Sequence, residues 1–162
     1  MVRARPFALL VVILAAAASP LVPHPPNFAP IAAMALFGGA YFSDRRQAFL
    51  VPLTAMFLSD LVIGLHSLIP VVYGSFALIV CLGFWLRRRR TVSLVAGAAL
   101  AGSVVFFVST NFGVWALGSW CPKTLSGLMT AYIKAIPFFR NTVAGDLFNA
   151  SEHFGGFALL ER

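Results

Sequence analysis

Acidic residues are scarce in this sequence of 162 residues, which has only 5 Asp and Glu against 12 Lys and Arg. Charged residues make up 10% of the chain, hydrophobic residues make up 60%, and the mean hydropathy is +0.89. So little charge beside so much apolar surface excludes an ordinary soluble domain. The length allows one compact domain, residues 1–162, provided that its loops are short.

Motifs of the common catalytic classes are missing as well. The sequence has no Walker loop, no His-Glu-x-x-His pattern, no GxGxxG fingerprint and no Ser–His–Asp order, so an ATPase or a serine protease would lack the residues it needs. Only two cysteines are present, Cys81 and Cys121, and the lack of any CxxC spacing argues against a zinc site.

Basic residues alternate with six apolar runs. Three of them, Lys123, Lys134 and Arg140, fall in one stretch before the last run. The other nine occupy alternate gaps and the two chain ends: Arg3, Arg5, Arg45, Arg46, the four arginines at 87–90 and Arg162. Since basic residues near helix ends stay in the cytoplasm, this asymmetry predicts an all-α integral membrane protein of the inner membrane, with six transmembrane helices and both termini cytoplasmic.

The net charge of +7 also raises the possibility of nucleic-acid binding. The charge sits in short clusters between apolar runs, however, and the arginines at 87–90 directly follow the apolar residues 71–86. That position is typical of a cytoplasmic anchor in contact with anionic lipid. We therefore expect the lipid bilayer as a partner, and no nucleic acid.

The six predicted spans cover residues 6–22, 31–42, 48–65, 71–86, 92–110 and 141–160. The first has the pattern of a signal peptide with small residues before its end, but its removal would leave an odd number of spans, so we expect it to be retained. Residues 111–140 form the one long outward segment, whose aromatic side chains predict short interfacial helices.

Hydrogen-bonding side chains gather at the predicted outer ends of these spans. A loop stiffened by prolines follows the first span, and the aromatic segment 111–140 would lie over it. Ligand pockets are mainly apolar with a few orienting polar groups, so this convergence predicts an outward-open cup. The residues expected to bind a ligand there, together with Asp146 of span six, are His24, Asn27, Phe28, Asp60, His66, Tyr73, Asn111 and Trp115.

Span six carries Asp146, Asn149 and His153 at positions i, i+3 and i+7, which form one stripe of a helix. Ionisable side chains inside a membrane are costly, so this stripe should face the interior of the bundle. Two interpretations stay open, a hydrogen-bond network that orients helices and a part of the ligand pocket. Glu152 lies off the stripe, which favours a structural or partner-contact role.

Cys81 lies within the fourth apolar run and also allows two interpretations. A free cysteine is often a small buried hydrophobe. A thiolate is also a soft ligand for a transition metal carried by a substrate. Helix geometry places Cys81 about 16 Å below Pro70, so only a large ligand entering from outside would reach it.

Several segments resemble those of one family: PPNFAPI at 25–31, ALFGGAYF at 35–42, SDL at 59–61, TNFGVW at 110–115 and AIPFFRNT at 135–142, followed by Gly145 and Asp146. They are similar to small bacterial six-span proteins related to the substrate-binding S components of energy-coupling-factor (ECF) vitamin transporters. The similarity extends over residues 23–156. More narrowly, the intramembrane Cys81 resembles that of the solitary cobalamin-transporting (BtuM-type) S components.

The resemblance implies a six-helix bundle with an outward pocket, which takes up a vitamin either with an ECF energising module (ATPases and T component) or alone. For the cobalamin branch it implies uptake of vitamin B12, with cobalt bound by the Cys81 thiolate, which would displace cyanide from the cyano form. Cobalamin would be the bound substrate, and no other cofactor is expected. Three alternatives stay open: S-component-like transport of another small nutrient, a membrane enzyme that acts on corrinoids or lipid without transport, and a structural subunit.

Overall fold

The part of the chain described by the computed structural model, residues 31–160 with Val11 and Leu14, is entirely helical apart from its turns. Its five consecutive helices are α1 Ile31–Tyr41, α2 Arg45–Ile63, α3 Ile69–Trp85, α4 Val92–Leu117 and α5 Leu125–Leu160. The all-α prediction is confirmed here, but these residues contain five helices and not six. Except for Val11 and Leu14, which are helical, the predicted first span at 6–22 lies outside the described residues.

Two of the five helices, α2 and α4, are long and apolar enough to cross a membrane. The helices α1 and α3 are apolar but shorter than such a span requires. Among the described residues, length and composition therefore support two membrane spans, and the predicted number of six is not supported.

The centre of the bundle is α1, which packs against all four other described helices. Its 11 residues are apolar on every side, and a helix of that kind has to be buried all round. Met34, Leu36 and Phe37 are among the most deeply buried side chains of the protein. The helix is about 16 Å long, which is half the thickness of a bilayer core.

The helices α1 and α3 approach most closely at two glycines, Gly39 and Gly83. A Cβ atom added to Gly83 would lie 2.8 Å from Cα of Gly39 and would collide with the carbonyl oxygen of Leu36. A Cβ atom added to Gly39 would collide with the carbonyl oxygen of Val80. The two backbones can therefore meet only because neither position carries a side chain.

Two of the arginines at 87–90, which were predicted to anchor the chain to lipid, cap the end of α1. Arg87 donates from Nε to the Gly39 carbonyl at 2.9 Å and from Nη2 to the Phe42 carbonyl at 2.7 Å. Arg90 donates from Nη2 to the Ala40 carbonyl at 2.8 Å. The last carbonyls of a helix have no partner within it and carry negative partial charge, so these guanidinium groups satisfy them.

The same guanidinium groups pack over aromatic rings. Cζ of Arg87 lies 4.4 Å from the centroid of the Phe84 ring, and Cζ of Arg90 lies 4.1 Å from that of Tyr41. Burial, followed by the charges of Arg45 and Arg90, lowers the pKa of Arg87 below its ordinary value, although a guanidinium keeps its proton in proteins. Arg45, at the start of α2, also lies 6.0 Å from the Phe84 ring. We call this end of the bundle the arginine end.

We expect Arg87→Gln to lower the free energy of unfolding by about 1–2 kcal/mol, because carbonyls at the end of α1 lose their charged donor. The matched control is Arg88→Gln, which removes the same charge from an exposed neighbour outside this set of bonds. Unfolding of the detergent-purified protein, followed by circular dichroism, measures the difference. Equal stability of the two variants would show that the Arg87 contacts do not stabilise the bundle.

The prediction of short interfacial helices at 111–140 is wrong. The helix α4 continues to Leu117, and α5 begins at Leu125 and runs without a break through Pro137 into the predicted span six. The predicted span six began only at residue 141, four residues after this proline, whose missing backbone donor disfavours the interior of a helix. In the structure Pro137 is exposed and lies inside a helix of 36 residues.

A tight turn at 118–124 joins α4 to α5, and both helices are capped within it. Lys123 donates from Nζ to the carbonyls of Trp115 and Gly118 at the end of α4. Oγ1 of Thr124 accepts from the amide of Gly127 at 3.2 Å, which caps the start of α5. We call this end of the α4–α5 hairpin the turn end.

Candidate functional site

A line of polar side chains runs through the interior of the bundle along α5. It consists of Asp146, Asn149 and His153, all buried, as the i, i+3, i+7 spacing predicts. Asp146 is only 3% exposed. With Ser103 of α4, which lies against Asp146, we call these residues the polar track.

The Asp146 carboxyl group is held from the neighbouring helix. Ser103 donates from Oγ to Oδ2 of Asp146 at 2.6 Å, and the same Oγ lies 3.1 Å from the carbonyl oxygen of Ala99. Ser103 is fully buried, so water does not reach this bond. A buried carboxyl group with one hydroxyl partner has accepting capacity left over, because each of its oxygens can take more than one bond.

His153 has one satisfied and one unsatisfied ring nitrogen. Its Nδ1 lies 2.7 Å from the carbonyl oxygen of Asn149, and since a carbonyl can only accept, Nδ1 carries the hydrogen. Its Nε2 is buried and has no hydrogen-bond partner in the described part of the chain. A buried polar atom left in that state costs about 1–3 kcal/mol. Asn149 donates from Nδ2 to the carbonyl of Gly145 at 2.7 Å.

Four aromatic rings close the track at the arginine end: Phe37, Tyr41, Phe154 and Phe157. The centroid of the Phe37 ring lies 5.7 Å from that of His153, edge to face, and 4.6 Å from that of Tyr41. These rings are buried, and the Arg90 guanidinium packs over the Tyr41 ring. The polar track therefore ends at a packed apolar layer that separates it from the arginine end.

Two of the predicted cup residues, Asp60 and Tyr73, are brought together. Tyr73 donates from Oη to Oδ2 of Asp60 at 2.7 Å, which links α2 to α3. The rings of Phe76 and Phe106 pack 5.3 Å apart on α3 and α4. On α3, Tyr73 lies one turn from Phe76 toward the turn end. On α4, Ser103 lies one turn from Phe106 toward the arginine end. The Asp60–Tyr73 pair thus lies about 9 Å along the helices from the level of Ser103.

Three of the other predicted cup residues, all within the described part of the chain, do not join this pair. His66 is exposed in the link between α2 and α3. Asn111 and Trp115 lie within α4 instead of beyond its end, and their side chains make local bonds, Asn111 to the Phe107 carbonyl at 2.8 Å and Trp115 to the Pro122 carbonyl at 2.9 Å. The remaining predicted residues, His24, Asn27 and Phe28, lie outside the described residues.

Cys81 is exposed, so its interpretation as a buried hydrophobe is wrong. It shares one side of α3 with Gly74, Leu78 and Trp85, at spacings that keep residues on one helix face. Leu78 is 55% exposed and Trp85 is 68% exposed, so this side faces away from the bundle and from the polar track. No group of three or more His, Cys, Asp or Glu that could hold a metal ion occurs in the described part of the chain.

The family of this chain follows from its sequence as a whole. It matches a family described as a family of unknown function, DUF6580, over residues 2–162. The chain belongs to the DUF6580 family. No curated protein and no solved structure matches it. Membership thus covers every helix described above and assigns no activity to this DUF6580 chain.

The sequence analysis of this DUF6580 protein missed Ser103, the partner of Asp146. The available signal was the hydroxyl of Ser103 between the apolar residues 94–102 and 104–108, next to Gly102, which allows another helix to approach. It also missed the aromatic layer, whose four residues come from two helices that are more than a hundred residues apart in sequence. In the sequence, none of these four aromatic residues differs from the other apolar residues around it.

Proposed function

We propose that the chain is a multi-pass membrane protein whose described helices lie in the bilayer. Only 28% of the apolar stretch of α2, and the same share of α4, is buried. The core helix of a soluble protein would be mostly buried, whereas these two present large apolar side chains outward. The exposed ones are Leu50, Phe57, Leu58, Leu61, Val62, Ile63, Val92, Leu100, Val104, Val108, Phe112 and Leu117.

The basic residues support a proposed orientation. Arg45, Arg46 and the arginines at 87–90 belong to the arginine end, and Lys123 belongs to the turn end. Because basic residues near helix ends are retained in the cytoplasm, the arginine end would face inward. With residues 6–22 as a sixth span, both termini would lie in the cytoplasm of a bacterial cell and the turn end would face outward.

Within that membrane, we propose that the protein binds and transports a small vitamin-like nutrient, as its resemblance to ECF S components implies. The observation that carries this proposal is the polar track, in which Nε2 of His153 has no hydrogen-bond partner within residues 31–160. Ionisable side chains inside a membrane bundle are costly, and they typically mark substrate or ion pathways. A network that served only to orient helices would satisfy its own members, and this one leaves a buried atom without a partner among the described residues.

The track suggests a role for each residue. Asp146, positioned by Ser103, would accept hydrogen bonds from donor groups of the nutrient, and Nε2 of a neutral His153 would accept one more. The aromatic layer would keep the site closed toward the cytoplasm until the helices move. The Asp60–Tyr73 pair, nearer to the turn end, would lie on the outer approach. Movement of the layer would be driven by an ECF energising module or by the protein alone.

Cobalamin is the substrate that the resemblance favours, with cobalt bound by the Cys81 thiolate. The Cys81 thiol is exposed, but on the side of α3 that would face lipid in the proposed membrane, so a corrinoid bound to it would have to lie in the lipid phase. Such a corrinoid would lie against the outer side of α3, beside Leu78 and Trp85, and not in the polar track. The cobalt–thiolate proposal and the proposal for the track therefore make separate predictions.

The visible absorption spectrum of the detergent-purified protein, expressed with cyanocobalamin and washed extensively, tests the cobalamin proposal. We expect a retained corrinoid band that is shifted from free cyanocobalamin, because a thiolate replaces an axial ligand of cobalt. The shift should disappear in Cys81→Ala and persist in Cys121→Ala, which removes the other free thiol. A shift that survives in Cys81→Ala would exclude cobalt–thiolate bonding, and a colourless protein would exclude cobalamin and leave another nutrient as the substrate.

A further inference from the structure

The four arginines that follow α3 divide into two pairs with different surroundings. Arg87 and Arg90 are engaged by the carbonyls at the end of α1 and by the rings of Phe84 and Tyr41. Arg88 and Arg89 are exposed, and no carboxylate forms an ion pair with either of them among residues 31–160. Two cationic groups are therefore available to a ligand at the arginine end.

A groove of about 580 Å³ lies beside these two groups. We call it the arginine groove, and it is lined by Phe84, Trp85, Arg87, Arg88, Arg89 and Leu94. Three guanidinium groups thus line it together with three apolar side chains. Trp85 is 68% exposed, although it is the largest apolar side chain of α3.

This combination fits a ligand with an anionic head and an apolar tail. Tryptophan side chains are enriched at the level of lipid headgroups, and basic pockets at the cytoplasmic ends of membrane helices bind anionic headgroups. An inorganic anion would leave the apolar wall of Phe84, Trp85 and Leu94 unused. A nucleic acid would meet only a short basic stretch with an apolar wall beside it.

We propose that the arginine groove binds an anionic phospholipid of the inner leaflet. Arg88 and Arg89 hold its phosphate group, and one acyl chain lies along Trp85 and Leu94. This proposal rests on the proposed membrane location, since it places the arginine end at the cytoplasmic leaflet. The lipid proposal does not depend on which nutrient the polar track binds.

The test uses native mass spectrometry of the full-length protein in detergent, titrated with phosphatidylglycerol or with phosphatidylcholine of the same acyl chains. We expect phosphatidylglycerol to bind more tightly. The double variant Arg88→Gln/Arg89→Gln should lose about 30-fold in affinity for it and little for phosphatidylcholine. The matched control is Arg45→Gln/Arg46→Gln, which removes two charges from the same end but none from the groove lining.

Three results would overturn the proposal. Equal losses in the two double variants would show a general attraction to positive charge instead of a site. Displacement of phosphatidylglycerol by millimolar inorganic phosphate would show a site for the free anion, and tighter binding of a short RNA would show a nucleic-acid surface. Circular dichroism should show both variants folded. A wild-type protein found in the soluble fraction of the cell would instead refute the proposed membrane location itself.

Discussion

Gly83→Ala is expected to lower the free energy of unfolding by about 3 kcal/mol or more, or to prevent the bundle from folding. The added Cβ would lie 2.8 Å from Cα of Gly39 and would collide with the Leu36 carbonyl oxygen. Both are backbone atoms of the buried helix α1, so no side chain can turn away to make room. Because α1 contacts every other described helix, its displacement would disturb the whole core.

The helix α3, which carries Gly83, also supplies a matched control, Gly74→Ala. A Cβ atom added at Gly74 has no neighbour within 4 Å, and alanine favours helix formation over glycine by about 1 kcal/mol. We therefore expect Gly74→Ala to be neutral or slightly stabilising. Size-exclusion profiles and thermal unfolding in detergent would compare the two variants. If Gly83→Ala unfolds at the wild-type temperature, the close α1–α3 contact is not a feature of the folded protein.

The bounds of two helices and the burial of the polar side chains of α5 could be predicted from the sequence. The predicted spans at 31–42 and 71–86 match α1 and α3 closely, because apolar runs bounded by turns and arginines mark where such helices begin and end. The helix pattern also predicted correctly that Asp146 and His153 are buried. These predictions depend on local periodicity and on the high cost of isolated charge in an apolar bundle.

The remaining features depend on contacts between distant residues. No local sequence feature distinguishes Gly83 from Gly74. A Cβ atom on Gly83 would contact backbone atoms of α1, whereas a Cβ atom on Gly74 would have no neighbour within 4 Å. The outward position of Cys81 depends on which face of α3 packs against α1, and an apolar helix with no polar side does not show that face. The predicted start of span six at residue 141 was wrong because the residues before it, with an exposed proline among them, belong to the same helix α5.

Asp146→Asn is the second substitution with a large expected effect, and here the effect is on binding. Asparagine has the size of aspartate and can still accept from Ser103, so the fold should persist. The carboxylate that would meet donor groups of the nutrient is lost, which should weaken its binding about 10- to 100-fold. The small molecule retained by the purified protein can be identified and quantified by mass spectrometry after denaturation, without knowing in advance what it is.

Glu152→Gln is the matched control, because it removes a carboxylate from the same helix at an exposed position off the polar track. We expect this variant to retain the same small molecule at wild-type occupancy. A retained molecule that is absent from Asp146→Asn and present in Glu152→Gln would connect the track to substrate binding. Wild-type occupancy in Asp146→Asn, with unchanged uptake by cells, would mean that the track only orients helices. The His153 nitrogen, which has no partner in the part of the chain that the structure describes, would then be a cost of folding with no role in transport.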